Sequence, residues 1–143
     1  MSDPREKYGV NRDAEQQGAV VKIDDNEFLV RSSSAANRGY RYALAMAAER
    51  RREQLQAGGV DAFAAQDEMF IEAFAETVIV GWKNVTNGDG HELPFTRDNC
   101  IKLMRDCPDL WDQILEAARD PKRFKLSHAQ EDGAKLGESS SGS

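Results

Sequence analysis

The sequence has few of the side chains that bind metal ions or form disulfide bonds. Its 143 residues include two histidines and two cysteines. His91 and His128 lack the His-x-x-x-His or Cys/His spacing of a zinc site, so no metal is expected. Cys100 and Cys107 would lie about 10 Å apart on one continuous helix, at ~1.5 Å of rise per residue. That separation exceeds the roughly 7 Å limit for a disulfide bond, which predicts two reduced, half-buried thiols.

Long apolar runs and surplus positive charge are also missing. No window approaches the ~18–20 apolar residues of a membrane span, and the opening residues, MSDPREK, are too polar for a secretory signal. We therefore expect a cytosolic chain with no membrane partner. The formal net charge of −6 makes nucleic acid an unexpected partner, because phosphate contacts draw on surplus lysine and arginine.

Signatures of common catalytic sites are absent as well. No Gly-x-Ser-x-Gly, Walker or Gly-x-Gly-x-x-Gly pattern occurs in a strand-to-helix setting. Asn87-x-Asp89-Gly90 matches part of a calcium loop, but the end positions of that loop would lack carboxylates, so we interpret it as a turn. Glu72 and Glu76 are interpreted as a solvated helix face rather than an acid/base pair. We predict no enzymatic activity and no bound cofactor.

Local patterns predict a mainly α fold of the α+β class, with about four helices and a short N-terminal β-hairpin. Residues 19–31 hold two alternating apolar runs around an acidic turn, which is typical of a hairpin. Helices are predicted over 35–57, capped by the serines at 32–34, and from Asp61 to about Val85. Strand propensity in residues 77–80 allows the second helix to fray or bend near Gly81. Thr96 caps a third helix, and Pro108 begins a fourth.

Composition divides the chain into three predicted parts. Residues 1–17 are polar and irregular and are expected to form a flexible arm. Residues 18–126 have enough apolar side chains for one globular domain with a modest core. Residues 127–143 are too polar to bury a core and are expected to be a disordered tail.

Apolar stripes on two predicted helices supply four candidate partner-binding residues. Apolar side chains from Phe63 to Val85 recur at helical spacing and share one face of the second predicted helix. Such a stripe normally packs in a core, although large aromatic side chains also anchor protein interfaces. The candidates are Phe70, Phe74 and Trp82 on this stripe and Trp111 on the apolar stripe of the fourth predicted helix, and for both tryptophans the core is the default interpretation.

Charge is distributed unevenly between the first two predicted helices. Residues 31–56 carry six arginines and two glutamates, whereas residues 57–99 carry eight acidic and two basic side chains. The two helices are therefore expected either to pair internally or to favour self-association or an oppositely charged partner. Arg50, Arg51 and Arg52 are the candidate contacts. Glu49 and Glu53 flank them, and no helix-turn-helix spacing accompanies them, which makes DNA binding the weaker interpretation.

An ordered series of motifs covering roughly residues 20–125 resembles the tail assembly chaperones of long-tailed bacteriophages. A strand carrying Phe28 and Val30 precedes Asn37-Arg38-x-Tyr40-Arg41, and the rest follows in order. The later pieces are FAETVIVGWKNV (residues 74–85), the turn at 89–90, ELPFT (92–96), NCIKL (99–103) and PDLWDQI (108–114).

The resemblance implies a function in virion morphogenesis. Such chaperones bind the long, helical tape-measure protein and keep it soluble until tail-tube subunits assemble around it. A longer form, made by programmed frameshifting, is thought to recruit the tail-tube protein. The resemblance implies a location in the host cytoplasm and absence from the mature virion.

Two other functions fit the same small charged domain. One is a structural virion adaptor, such as a head–tail connector or tail-completion protein, which would remain in the particle. The other is a nucleic-acid-binding regulator that uses the arginine-rich first helix, which would show salt-dependent binding to duplex DNA.

Overall fold

A computed structural model describes residues 3–8 and 18–124. Within these residues the chain forms six α-helices, one 3₁₀ helix and a three-stranded antiparallel sheet. The elements are α1 (Pro4–Tyr8), β1 (Ala19–Ile23), β2 (Asn26–Val30), α2 (Arg38–Arg50), α3 (Arg52–Ala57), α4 (Gly59–Thr77), β3 (Ile79–Lys83), α5 (Arg97–Asp106), α6 (Pro108–Arg119) and the 3₁₀ helix Pro121–Arg123. The predicted α+β class is confirmed, with more helices than the four expected. α1 lies in the predicted N-terminal arm, whereas the rest of that arm and the predicted tail (127–143) fall outside the described residues.

The N-terminal hairpin forms where the alternating pattern predicts it. β1 and β2 pair in antiparallel register, with Val21 opposite Phe28, and both side chains are buried. Asp24 in the turn has a φ of 53°, a left-handed conformation that aspartate tolerates better than most residues. Because Val21 and Phe28 are buried, the face of the hairpin that carries them packs against the core.

The segment predicted as one helix over residues 35–57 is two helices in the structure. α2 begins after Asn37, whose Oδ1 accepts a hydrogen bond from the Tyr40 backbone N–H at 3.0 Å. The cap is therefore Asn37 and not one of the serines at 32–34. Arg51 leaves helical geometry, with φ −115° and ψ 21°, and α3 begins after it. The break accompanies a tertiary contact between Arg51 and Glu72, which leaves no mark in the local sequence.

The second predicted helix, from Asp61 to about Val85, is wrong in its C-terminal part. α4 ends at Thr77, and Ile79–Lys83 forms β3, which pairs antiparallel with β2 so that Trp82 lies opposite Phe28. The branched side chains around Ile79 suit a pleated strand. The backbone N–H and C=O groups on this edge of β2 hydrogen-bond to β3. They would lack these partners if residues 79–83 continued the helix. Trp82 is therefore a strand residue and not part of the helical stripe.

The last two predicted helices are confirmed together with their start signals. The Thr96 hydroxyl accepts a hydrogen bond from the Asn99 backbone N–H at 3.0 Å, which caps α5. Pro108 occupies the first turn of α6, where its missing N–H costs no helical hydrogen bond. The turn predicted at residues 87–90 also forms, with Gly90 at a φ of 84°.

The hydrophobic core lies between the inner face of the sheet and the helices α2, α4, α5 and α6, and α4 is central because it contacts α2, α3, α5 and β3. The largest fully buried side chains are Phe28, Phe74, Ile79, Met104 and Ile114. This arrangement covers the C-terminal half of α4 on most sides and determines which part of its apolar stripe remains accessible.

Candidate protein-binding surface

The apolar stripe of α4 runs from solvent into the core. Phe63, Phe70 and Phe74 are spaced by seven and four residues and therefore share a helical face. Phe74 is fully buried, Phe70 is partly buried, and Phe63 is 72% exposed. Val60, one turn before Phe63, is 85% exposed. We call Val60 and Phe63 the α4 tip.

Phe74 is held in place by two other aromatic rings. Its ring centroid lies 5.3 Å from that of Tyr40 on α2 and 4.8 Å from that of Trp111 on α6, both in edge-to-face geometry. Edge-to-face contacts add to the burial energy of aromatic pairs. Phe74 and Trp111, both predicted as partner-binding candidates, thus lie inside the core of the folded domain.

Trp82, another predicted partner-binding residue, supports the loop between β3 and α5. Its indole N–H donates a hydrogen bond of 2.8 Å to the Leu93 carbonyl, and its ring packs edge-on against Phe95 at 5.0 Å. The ring is buried on the inner face of β3. In the folded domain its contacts are therefore intramolecular, as the default interpretation for this tryptophan predicts.

The arginine cluster pairs within the chain. Arg51 makes a bidentate contact with Glu72 of α4, in which Nη1 lies 2.7 Å from Oε2. Arg50 also pairs with Glu72, and its Nη2 lies 3.3 Å from Oε2. Arg52 pairs with Glu49 on the exposed side of the break between α2 and α3. The internal pairing expected from the charge pattern is thus present for Arg50 and Arg51.

The acidic side chains of α4 pair with arginines at the α2–α3 junction and with arginines on α5. Glu68, Glu72 and Glu76 follow one another at intervals of four residues. Arg105 and Arg97, both on α5, pair with Glu68 at 2.8 Å and with Glu76 at 2.8 Å. Glu72 is not the solvated carboxylate expected from sequence, because its side chain lies mostly inside the pair with Arg51.

The pair between Glu72 and Arg51 predicts a specific pH dependence of stability. Hydrogen bonds from Arg51 lower the pKa of Glu72 below its usual value, against the opposing effect of burial. The stabilisation is therefore present above the unfolded-state pKa of about 4.3 and is lost as pH falls through the folded-state pKa. In urea denaturation, we expect Glu72→Gln to be less stable than the wild type at pH 7, with the difference shrinking in acid.

The control for this pH prediction is Glu116→Gln, which removes an exposed α6 carboxylate that has no ion pair in the described part of the chain. We expect this variant to be nearly as stable as the wild type at pH 7. A Glu72→Gln deficit that stays constant down to pH 2 would contradict the assignment of the stabilisation to the charged pair.

The two cysteines differ more than the sequence predicts. Both are free, but the helix carrying Cys100 ends at Asp106, and Cys107 lies at the junction with α6. Cys107 is half-buried as expected, whereas Cys100 is fully buried. Burial raises the pKa of the Cys100 thiol to about 12.

Because the thiolate is the reacting species, we expect iodoacetamide at neutral pH to alkylate Cys107 well before Cys100 in the folded protein. Peptide mass spectrometry over a time course measures both rates, and the same reaction in denaturant is the control in which they converge. Equal rates in native buffer would show that Cys100 is not enclosed as described.

Polar clusters in the described residues offer little for metal or membrane binding. No group of three or more histidine, cysteine, aspartate or glutamate side chains is placed to hold a metal ion there. The imidazole Nδ1 of His91 lies 2.9 Å from Asp89 Oδ1 on the exposed turn, and His128 lies outside the described residues. None of the described helices combines the length and apolar character that a membrane span requires.

Sequence reasoning missed several exposed apolar side chains. Helical spacing predicts which residues share a face of a helix, but it does not predict whether another element packs on that face. Val60 at the α4 tip is one, and Tyr42 and Met46 on the outer side of α2 are two more. The spacing of four between Tyr42 and Met46 was visible in the sequence and differs in phase from the buried set that contains Tyr40 and Ala43. A second apolar face on α2 was therefore the available signal.

Comparison with known protein families shows which family the chain belongs to. Residues 35–135, more than half of its length, match the model of the YdaY prophage protein family. The chain belongs to the YdaY prophage protein family. It is therefore a phage-derived protein, as the motif series implied, and the match begins after the β1–β2 hairpin. No curated protein and no solved structure matches the chain.

Proposed function

We propose that this protein is a tail assembly chaperone that binds amphipathic helices of the tape-measure protein through the α4 tip. The observation that carries the proposal is the exposure of Val60 and Phe63, at 85% and 72%, on a stripe whose other end is core. Membership in a prophage family and the motif series over residues 74–114 support a role in phage assembly.

The physical mode is helix against helix. A tape-measure segment offers amphipathic helices whose apolar side would aggregate if left in water, and an exposed apolar helix face is a natural complement. Burial of apolar surface contributes about 25 cal/mol per Å² before association costs are subtracted. A contact built from a few such side chains is weak and reversible, and this suits displacement by tail-tube subunits.

Charges beside the α4 tip set a preference for the partner. Asp61 and Asp67 lie within one or two turns of Phe63 and are exposed, and no ion pair engages either within the described residues. A partner helix with basic residues beside its apolar seam is therefore favoured. The arginines at positions 50–52 already contact Glu72 and Glu49, which weakens the alternative of a nucleic-acid-binding regulator.

Co-expression with the tape-measure protein of the same prophage tests the proposal. We expect the soluble yield of that protein to rise several-fold and the two chains to co-purify from the host cytoplasm. Mass spectrometry of purified particles is the companion measurement, and the chaperone is expected to be absent from them. A stoichiometric amount in the particle would favour the structural adaptor, and unchanged solubility without co-purification would contradict the chaperone.

Recruitment of the tail-tube protein by a longer, frameshifted form is part of the same proposal. Pull-down of the tail-tube protein with the short chain and with an extended product of the same gene separates the two roles. We expect capture by the extended product alone.

A further inference from the structure

Helix α2 has a second face that points away from the core. Tyr40, Ala43 and Ala47 are buried against the domain, whereas Tyr42 is 70% exposed and Met46 is 41% exposed. A cationic end and an anionic end flank these apolar residues. We define the α2 outer face as Arg38, Tyr42, Ala45, Met46 and Glu49, all of which are exposed.

The spacing of this face is that of a helix–helix seam. Arg38, Tyr42, Ala45 and Glu49 follow one another at intervals of four, three and four residues, the alternation found in coiled-coil contacts. The two middle residues of this series, Tyr42 and Ala45, are apolar, and the charged Arg38 and Glu49 lie at its ends. Within the described residues no ion pair engages Arg38, and Glu49 pairs only with the exposed Arg52.

We propose that two copies of the chain associate through their α2 outer faces, antiparallel across a two-fold axis. This pairing brings Arg38 of each copy opposite Glu49 of the other and seats the large Tyr42 ring over the small Ala45. The face is thus complementary to itself in both charge and size, which an isologous interface requires. A parallel arrangement would instead bring Arg38 against Arg38, and like charges in contact are costly.

The size of the face sets the strength of this association. α2 has 13 residues, which corresponds to a length of roughly 20 Å at ~1.5 Å per residue. A seam of that length lies at the low end of specific interfaces, below about 1,200 Å² in total. We therefore expect a reversible dimer that forms with rising concentration. The α2 outer face does not include the α4 tip, and the inference does not rest on the proposed chaperone function.

Charge exchange tests the pairing with purified full-length chain. Sedimentation velocity over a range of concentrations should show a monomer–dimer equilibrium for the wild type. Arg38→Glu and Glu49→Arg should each raise the dimer Kd at least about tenfold, because each brings like charges together. The double variant R38E/E49R should recover dimerisation, and so should an equimolar mixture of the two single variants.

Two features keep these results interpretable. Arg38→Glu puts a carboxylate in the first turn of α2, and Glu49→Arg puts a cation in the last turn, so both agree with the helix dipole. Circular dichroism should therefore show unchanged helix content. Lys102→Glu on α5 and Asp112→Arg on α6 are matched controls at exposed positions and should dimerise like the wild type.

Two outcomes would overturn the inference. The first is a wild-type chain that stays monomeric at every concentration. The second is a dimer whose Kd is unaffected by both single exchanges, which would place self-association on another surface.

Discussion

Replacing Phe74 by alanine is expected to lower the free energy of unfolding by about 3–5 kcal/mol, the usual cost of removing a buried aromatic ring. The ring is fully buried and touches both Tyr40 and Trp111, so the change leaves a cavity where α2, α4 and α6 meet. Small domains are stable by about 5–15 kcal/mol. The variant should therefore be marginally stable.

The matched control is Phe63→Ala, on the same helix and the same stripe. Its ring is 72% exposed, and surface substitutions usually change stability by about 0.5 kcal/mol or less. Guanidinium denaturation followed by tryptophan fluorescence measures both variants. Equal losses in the two variants would mean that the stripe is covered along its whole length, contrary to the structure.

The contrast between these two phenylalanines shows the limit of sequence reasoning about the site. Helical spacing correctly places Phe63, Phe70 and Phe74 on one face, because that face depends only on local geometry. Which end of the face is covered depends on where α6 packs, and that is a property of the whole chain. For this reason the sequence pattern alone indicates Phe74 and Trp111 as candidate partner contacts, although the folded domain encloses both side chains.

The fold divides in the same way between local and distant causes. The β1–β2 hairpin, the Thr96 cap and Pro108 at the start of α6 have signals within a few residues, and all three are found in the structure. The end of α4 at Thr77 has a distant cause, because β3 forms by pairing with β2 some fifty residues earlier. The break at Arg51 likewise follows a contact with Glu72 and has no glycine or proline to announce it.

The second large effect is expected for partner binding. Replacing both residues of the α4 tip, in Val60→Ser/Phe63→Ser, should abolish co-purification with the tape-measure protein while the domain stays folded. Both side chains are exposed, so their removal leaves no cavity, and the apolar contact surface is lost outright. Pull-down of the co-expressed tape-measure protein, with circular dichroism of the purified variant, measures both properties.

Val20→Ser is the matched control for that variant. Val20 is an exposed apolar residue, at 55%, on β1, and its replacement removes apolar area, though less than the double variant does, from a different surface. We expect this control to bind like the wild type. Loss of binding in the control alone would place the contact on the hairpin.

Apolar burial at the α4 tip is the central claim, and the heat capacity change of binding reports apolar burial directly. Isothermal titration calorimetry at several temperatures, with a purified helical fragment of the tape-measure protein, provides the measurement. We predict a negative heat capacity change for the wild type, with no detectable binding by Val60→Ser/Phe63→Ser. Binding by the double variant with the same affinity and heat capacity change as the wild type would contradict the claim.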